Sequence, residues 1–346
     1  MILNFSENID LKSLFPQTEF EEKVISFLEE WYSGSETVSV QTSGSTGIPK
    51  VFAIQKERMR HSAKMTCDFL NLSPESSALL CLPVEYISGK MMIVRAAERN
   101  MKLTVSTPTT QPLQNITEFI DFCAMTPLQV QNSLDKIHLI RNLIIGGAQV
   151  AEHLKVNITD ALKNTNTQSR IYETYGMSET LSHIALKQIY PKSEEFFKVL
   201  GDVKISQDER GCLSVFAPKL NPDQLQTNDL VEIKSDTQFR FIGRLDNIIN
   251  SGGLKIHPEE LEELVKKHLK TEVIFAGLKD DRLGQKLVLG VEGARSTQLS
   301  NALNTALDAV ETAFSKNHRP REIFYLNEFP RLPNGKINRR ALIALL

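Results

Sequence analysis

Between residues 78 and 176 the chain alternates short apolar runs with amphipathic stretches, and this rhythm limits the possible folds most tightly. "ALLCLP" (78–83), "KLTVS" (102–106), "RNLIIGG" (141–147) and "SRIYETYG" (169–176) read as strands. "SGKMMIVRAAERN" (88–100) and "AEHLKVNITDALKN" (151–164) read as helices between them. The strand runs are nearly continuous in apolar character, which suits strands buried on both faces. Parallel strands need a long crossover, usually a helix that then covers the sheet. The pattern therefore predicts an α/β domain with a mostly parallel sheet, and ligands at the carboxyl ends of its strands.

From about 198 to 250 the pattern shortens. "FKVLGDVKISQDERGCLSVFAP" and "DLVEIKSDTQFRFIGRLDNIIN" read as short strands with hairpin turns at "DERG" and "SDTQ", a small β-subdomain. A helix is expected from Pro258, where "EELEELVKKHLK" puts acids early and lysines late, as the helix dipole favours. Strands "EVIFAGL", "KLVLGVE" and "EIFYL" and a long helix near 297–315 complete a small α+β unit. The expected boundary falls at Asp246: an N-terminal domain of residues 1–245 and a C-terminal domain of residues 246–346.

Composition excludes several classes. A formal net charge of −2 over 346 residues provides no global field for nucleic acid, and no basic stripe with interleaved aromatics is present. No apolar segment reaches the length of a membrane span, and the N-terminus does not read as a signal peptide. Cys67, Cys81, Cys123 and Cys212 form no CxxC pair; they read as small buried hydrophobes in a reducing cytoplasm. A homodimer stays open.

Four stretches carry chemistry. "TSGSTGIPK" (42–50) follows the strand-like "ETVSVQ" and crowds backbone N–H groups, hydroxyls and Lys50 into one loop, as a phosphate site requires. It is not a Walker A loop, since GxxxxGK[ST] is absent. "YGMSET" (175–180) offers one carboxylate, Glu179, beside hydroxyls, enough for a Mg²⁺ ion that also binds nucleotide phosphates. "GRLDNIINSGGLKIHPEE" (243–260) has a Ser-Gly-Gly turn before a helix, and "LPNGKINRR" (332–340) sets Lys336 after an Asn-Gly turn. Each alone has an ordinary reading: a hairpin, a surface glutamate, a linker, a basic helix end.

Together and in this order they resemble the acyl-adenylate-forming family of acyl-CoA synthetases, peptide-synthetase adenylation domains and luciferases. "TSGSTGIPK" is similar to its phosphate loop, and "YGMSET" to its Tyr-Gly-x-Thr-Glu motif with serine for threonine. "GRLDNIINSGGLKIHPEELE" is similar to its hinge and glycine loop, and "PNGKINR" to its C-terminal lysine motif. The resemblance spans roughly residues 38–340. It implies a two-step reaction: a carboxylate attacks the α-phosphate of ATP, releasing pyrophosphate, and the thiol of CoA then displaces AMP.

The resemblance also implies roles. Thr42, Ser43, Gly44, Ser45, Thr46, Gly47 and Lys50 correspond to the loop around the β- and γ-phosphates. Tyr175 corresponds to the residue stacked on adenine, Ser178 to the hydroxyl near the α-phosphate, and Glu179 to the magnesium ligand. Asp229 corresponds to the ribose-binding aspartate with Arg244 as helper, Asp246 to the hinge, and Gly252 and Gly253 to the CoA channel. Lys336 corresponds to the lysine of the adenylation step. The chain departs from the family at Thr227-Asn228-Asp229, where Thr-Gly-Asp is usual; asparagine tolerates positive φ, so a turn is expected there. It is also short, with few residues before the phosphate loop.

Short length and "LPVEYISGKMMIVRA" (82–96) resemble the o-succinylbenzoate–CoA ligase branch of menaquinone biosynthesis, with Tyr86 where histidine is common. That implies a diacid, one carboxylate reacting and the other needing a cation or donors. Tyr86, Ser88, Lys90, Gly146, Gly147 and His183 are the expected acyl-binding residues. Arg95 reads first as a solvated helix charge; Lys90 reads equally as one, and His183 equally as a packed strand residue. The alternatives are a ligase for another aryl or short acyl acid, an enzyme that loads a carrier protein, and a non-catalytic binder of ATP or acyl-AMP.

Overall fold

A computed structural model of the chain describes residues 1–41, 51–165, 167–269, 271–331 and 337–346. The strands are β1 (Ile2–Asn4), β2 (Thr37–Gln41), β3 (Val51–Gln55), β4 (Ser77–Leu80), β5 (Lys102–Val105), β6 (Ile120–Met125), β7 (Ile140–Ile145), β8 (Arg170–Gly176), β9 (His183–Tyr190) and β10 (Phe197–Val199). They continue as β11 (Lys204–Gln207), β12 (Cys212–Phe216), β13 (Leu225–Ser235), β14 (Gln238–Arg244), β15 (Ile249–Ser251), β16 (Leu254–Ile256), β17 (Val273–Asp280), β18 (Gly284–Glu292) and β19 (Glu322–Leu326). The helices are α1 (Glu19–Tyr32), α2 (Lys56–Phe69), α3 (Ile87–Glu98), α4 (Pro127–Gln131), α5 (Glu152–Leu162), α6 (Pro258–Lys266), α7 (Thr297–Ala313) and α8 (Arg339–Ile343).

The first sheet has 12 strands in the order β1-β5-β4-β6-β7-β8-β9-β10-β14-β13-β12-β11. β5, β4, β6, β7 and β8 run parallel. Alternate residues of these strands enter different cores. Leu80, Phe122, Ala124, Ile144 and Tyr172 join the core that contains Met59 and Ala63 of α2 and Met91 and Met92 of α3. Leu79, Cys123, Met125, Leu143, Ile145 and Ile171 pack with Leu154, Ile158 and Leu162 of α5. Both faces are thus covered, which is why these runs are apolar throughout.

The sequence reading set a β-subdomain beside a mostly parallel sheet. The structure instead continues the same sheet: β9 pairs antiparallel with β8, and β10, β14, β13, β12 and β11 follow antiparallel. Edge hydrogen-bonding groups on β8 need a partner, and β9 supplies one without a crossover. The hairpin turns expected at "DERG" and "SDTQ" lie between β11 and β12 and between β13 and β14.

A second sheet, β16-β15-β18-β17 with β19 parallel to β18, follows a short 3₁₀ turn at Leu245–Asn247. It has its own core, in which Leu261 and Val265 of α6 and Leu303, Leu307 and Val310 of α7 cover Phe275 and Leu289.

Helix α3 departs from an ordinary amphipathic helix: Gly89 through Ala96 are all buried. Gly89 permits this, because a Cβ there would lie 2.3 Å from the carbonyl oxygen of Pro83. In a typical helix interior, glycine to alanine stabilises by about 1 kcal/mol. Here the sign should reverse: Gly89→Ala is expected to destabilise by about 1–3 kcal/mol, read by urea denaturation, and a stabilised variant would contradict the close approach.

Candidate active site at the carboxyl ends of the parallel strands

β4, β6, β7 and β8 share one direction, so their carboxyl ends lie along one edge of the sheet. The predicted residues gather there. Tyr86 and Ser88 follow β4, Gly146 and Gly147 follow β7, and Ser178 and Glu179 follow β8. Gln41, the last residue of β2, forms a parallel bridge with Tyr86 and pairs with Val51 across the β2–β3 hairpin. The phosphate-loop candidates Thr42, Ser43, Gly44, Ser45, Thr46, Gly47 and Lys50 lie outside the described residues, as does Lys336.

Small residues are required at this edge. Gly147 has φ +85°, and a Cβ on Gly146 would meet the Thr174 hydroxyl at 2.7 Å. A Cβ on Gly176 would lie 2.5 Å from the His183 Cα and from the Ser182 carbonyl oxygen. The segment after it is folded tightly on itself. Leu181 has φ 64° and ψ −48°, and Ser182 N–H donates to the Thr180 carbonyl at 2.7 Å. This is a γ-turn of the rare positive-φ kind, a strained conformation for a β-substituted residue. The Glu179 side chain is exposed, and no hydrogen-bond or ion-pair partner holds its carboxylate among the described residues. Such a carboxylate fits one ligand position of a Mg²⁺ ion that keeps water and nucleotide phosphates as its other ligands. Among the described residues no group of three or more His, Cys, Asp or Glu could hold a metal alone.

A second group lies where β8 meets the antiparallel strands. The Tyr175 hydroxyl donates to Asp229 at 2.6 Å, and Arg244 approaches the same carboxylate at 3.3 Å from the facing position on β14. Burial, then the Asp229 charge, pushes the Tyr175 phenol up, so it stays protonated. Its ring packs edge-on against Phe239 at 4.9 Å. Asn228 does not make the expected turn. It lies within β13, its φ is not positive, and its side chain donates to both Asp246 oxygens at 3.1 and 3.2 Å. Pairing of the next residue, Asp229, with Arg244 on β14 continues the strand from there. Arg244 also reaches Asp246 at 3.1 Å. Gly252 and Gly253, with φ 59° and 85°, form the turn between β15 and β16.

A third group lies inside. Arg95 is only 2% exposed, although its sequence also suits a solvated helix charge. Its Nη2 donates to Ser182 Oγ at 2.8 Å, its Nε is buried without a partner, and no carboxylate pairs with it among the described residues. Burial lowers its pKa to about 10, which leaves it charged. His183 is buried with both ring nitrogens engaged, Nε2 with Thr66 Oγ1 at 2.9 Å and Nδ1 with Ser182 Oγ at 3.4 Å. Lys90 turns elsewhere. It lies about 140° around the helix from Arg95, with its ammonium 4.3 Å from the centre of the Phe27 ring on α1. Burial lowers its pKa, opposed by Glu30 and Glu85. Sequence reasoning did not find Thr66 or Ser182. Nothing in the sequence ties Thr66 to a residue 117 positions later.

The comparisons with known proteins bear on this edge. No family model matches the chain. A crystal structure of an acyl-CoA synthetase (AMP-forming)/AMP-acid ligase II-like protein from Dyadobacter fermentans is 33% identical, covers 97% of each chain and superposes with a TM-score of 0.65. The chain belongs to the AMP-forming acyl-CoA synthetases. A 2-succinylbenzoate–CoA ligase of Lactococcus lactis is 26% identical to this synthetase over 97% of its length and 80% of the relative's. The corresponding ligase of Haemophilus influenzae is 26% identical over 72% of this chain and 58% of the relative's. The Bacillus subtilis O-succinylbenzoate coenzyme A synthetase, in complex with ATP and magnesium, has the same fold at a TM-score of 0.72, with 19% identity. No helix among the synthetase's described residues is long and apolar enough to cross a membrane.

Burial holds the pKa of His183 well below its ordinary value, with the Arg95 charge adding to the effect. As pH falls, the unfolded chain therefore takes up this proton before the folded one. The stability linked to His183 is full above about pH 6.5 and declines below it. His183→Gln removes that dependence. The stability difference between wild type and variant, measured in urea at about pH 7.5 and about pH 5.5, should move in the variant's favour at the lower pH; an unchanged difference would contradict a neutral, buried imidazole.

Proposed function

We propose that this synthetase joins o-succinylbenzoate to CoA at the expense of ATP, through an acyl-adenylate. Family membership supports the reaction class. The buried, uncompensated guanidinium of Arg95 supports the choice of acid. Burying a lone cation is costly, by several kcal/mol in a real protein, and a fold keeps one where a ligand completes the pair. A diacid brings a second carboxylate to do so, whereas a simple fatty acid leaves the cation unpaired.

The chemistry requires little acid–base work. The acid is a carboxylate at neutral pH and attacks the α-phosphorus directly, with pyrophosphate as leaving group. Ser178 and Lys336 would stabilise charge on the α-phosphate oxygens as it develops, and residues 42–50 would hold the leaving pyrophosphate. A bound Mg²⁺ ion supplies charge neutralisation on the phosphates, and Glu179 is the residue here to hold it. Tyr175, Asp229 and Arg244 would bind the nucleoside. The thiol of CoA then attacks the acyl carbon and AMP leaves. We place the domain boundary at Asp246, so that rotation about it exchanges Lys336 for Gly252 and Gly253 between the two steps.

The deciding assay supplies ATP, CoA and o-succinylbenzoate and measures AMP and thioester. CoA-dependent AMP is expected, with kcat/KM lower by at least about thirtyfold for 4-oxo-4-phenylbutanoate, which lacks the ring carboxylate. Absence of CoA-dependent AMP from o-succinylbenzoate overturns the reading; turnover of a different acid, or loading of a carrier protein, replaces it. Lys336→Ala is expected to abolish most adenylation, while thioester formation from preformed acyl-adenylate falls much less. Equal loss in both steps would contradict the role given to Lys336.

A further inference from the structure

We propose that His183, Thr66 and Ser182 form a positioning relay that fixes the Arg95 guanidinium for the acid's second carboxylate, without themselves touching the acid. This inference rests on the reading of Arg95 given above.

The hydrogen bonds run in one order. Thr66 Oγ1 lies 3.2 Å from the Ser62 carbonyl oxygen, one turn back on α2, and gives its only proton there. It can then only accept from His183, so the neutral imidazole carries its proton on Nε2. Nδ1 is left as an acceptor and faces the Ser182 hydroxyl. With its proton directed to Nδ1, Ser182 keeps lone pairs for Arg95 Nη2. The Thr66 and Ser182 hydroxyls each donate once and accept once, both ring nitrogens are engaged, and the Ser182 rotor has a single orientation.

The relay ends at an unmet donor. Arg95 Nε is buried without a partner, while Nη2 of the same guanidinium is held by Ser182. Native interiors rarely leave such a donor unmet without a functional reason. A second costly feature adjoins it, the positive-φ backbone of Leu181 that delivers Ser182. The two meet where Arg95 of α3 reaches Ser182 on the loop that follows Glu179, and strain of this kind clusters where a ligand is clamped. A purely structural role would be met more simply by a carboxylate paired with Arg95. His183, expected from the sequence to contact the acid, acts here one residue removed, through Ser182.

The test is selectivity, the ratio of kcat/KM for o-succinylbenzoate to that for 4-oxo-4-phenylbutanoate. It is measured on the full chain for wild type, Arg95→Met, Ser182→Ala, His183→Phe, Thr66→Val and Thr66→Ser. Thr66→Val is near-isosteric and guards against misfolding of the histidine variant. Arg95→Met should erase the preference. Ser182→Ala, His183→Phe and Thr66→Val should each lower the ratio by about tenfold, mainly through the KM for the diacid. Thr66→Ser, which keeps the hydroxyl, should retain it. If Arg95→Met erases the preference and the other variants keep it, the relay is overturned and the reading of Arg95 stands. If wild type shows no preference, or Arg95→Met retains it, the reading of Arg95 fails and the relay with it. A loss that is the same for both acids marks the three residues as structural only and also overturns the relay.

Discussion

Parallel strands satisfy one another's backbone groups only while they point the same way, and each must return by a crossover. β4, β6, β7 and β8 obey this constraint, so their four exits share one edge. The helices that make the crossovers cover both faces, which leaves that edge as the place where loops meet. Tyr86, Gly146, Gly147, Ser178 and Glu179 are distant in sequence and neighbours for this reason alone. The Gln41–Tyr86 bridge ties the strand preceding the phosphate-loop candidates to the same edge.

The parallel half was legible because burial on both faces removes polar residues from the strands and leaves a run that can be recognised. The antiparallel half was legible only locally. Hairpins announce themselves in turn residues such as "DERG", but pairing of β9 with β8 is a long-range choice without a local signature. Arg95 was misread for a related reason. In "KMMIVRAAERN" the arginine has the spacing of a helix flank, and periodicity cannot reveal that α1, α2 and the sheet enclose α3 on every side. Only the packing of Gly89 on Pro83 and the unbroken burial through Ala96 make that plain. Asn228 was misjudged through its backbone. Its tolerance of positive φ suggested a turn, whereas its side chain is what the fold uses.

The site gathers features that lower stability. A charged guanidinium is buried without a counterion among the described residues, a donor is unmet, and a leucine holds positive φ. Two carboxylates in and beside the second sheet show the opposite arrangement. Glu262 on α6 meets Arg339 with contacts of 2.6 and 2.7 Å and also accepts from the Phe275 N–H, even though burial lifts its pKa to about 7. Glu292 likewise accepts from Arg331 and the Phe329 N–H. The contrast is informative: carboxylates are supplied where chain segments are to be held, and none pairs with Arg95 among the described residues, as the proposed pairing with the acid would require.

The nucleoside group and the proposed hinge share side chains, and this links the two steps physically. Arg244 reaches both Asp229 and Asp246, and Asn228, beside Asp229 in β13, holds Asp246 from the other side. The contacts to Asp246 are solvent-exposed, and an exposed ion pair contributes at most about 1 kcal/mol. Weak contacts are what a hinge between two working orientations requires, because a strong one would trap the small domain in either. In the proposed complex a ribose on Asp229 would compete for the Arg244 guanidinium and so loosen its hold on Asp246. Where the family usually has glycine, Asn228 adds a second tether that the ribose does not contest. Arg244 and Asn228 thus hold the Asp246 carboxylate from two sides, by small interactions that would differ in sensitivity to a bound nucleotide.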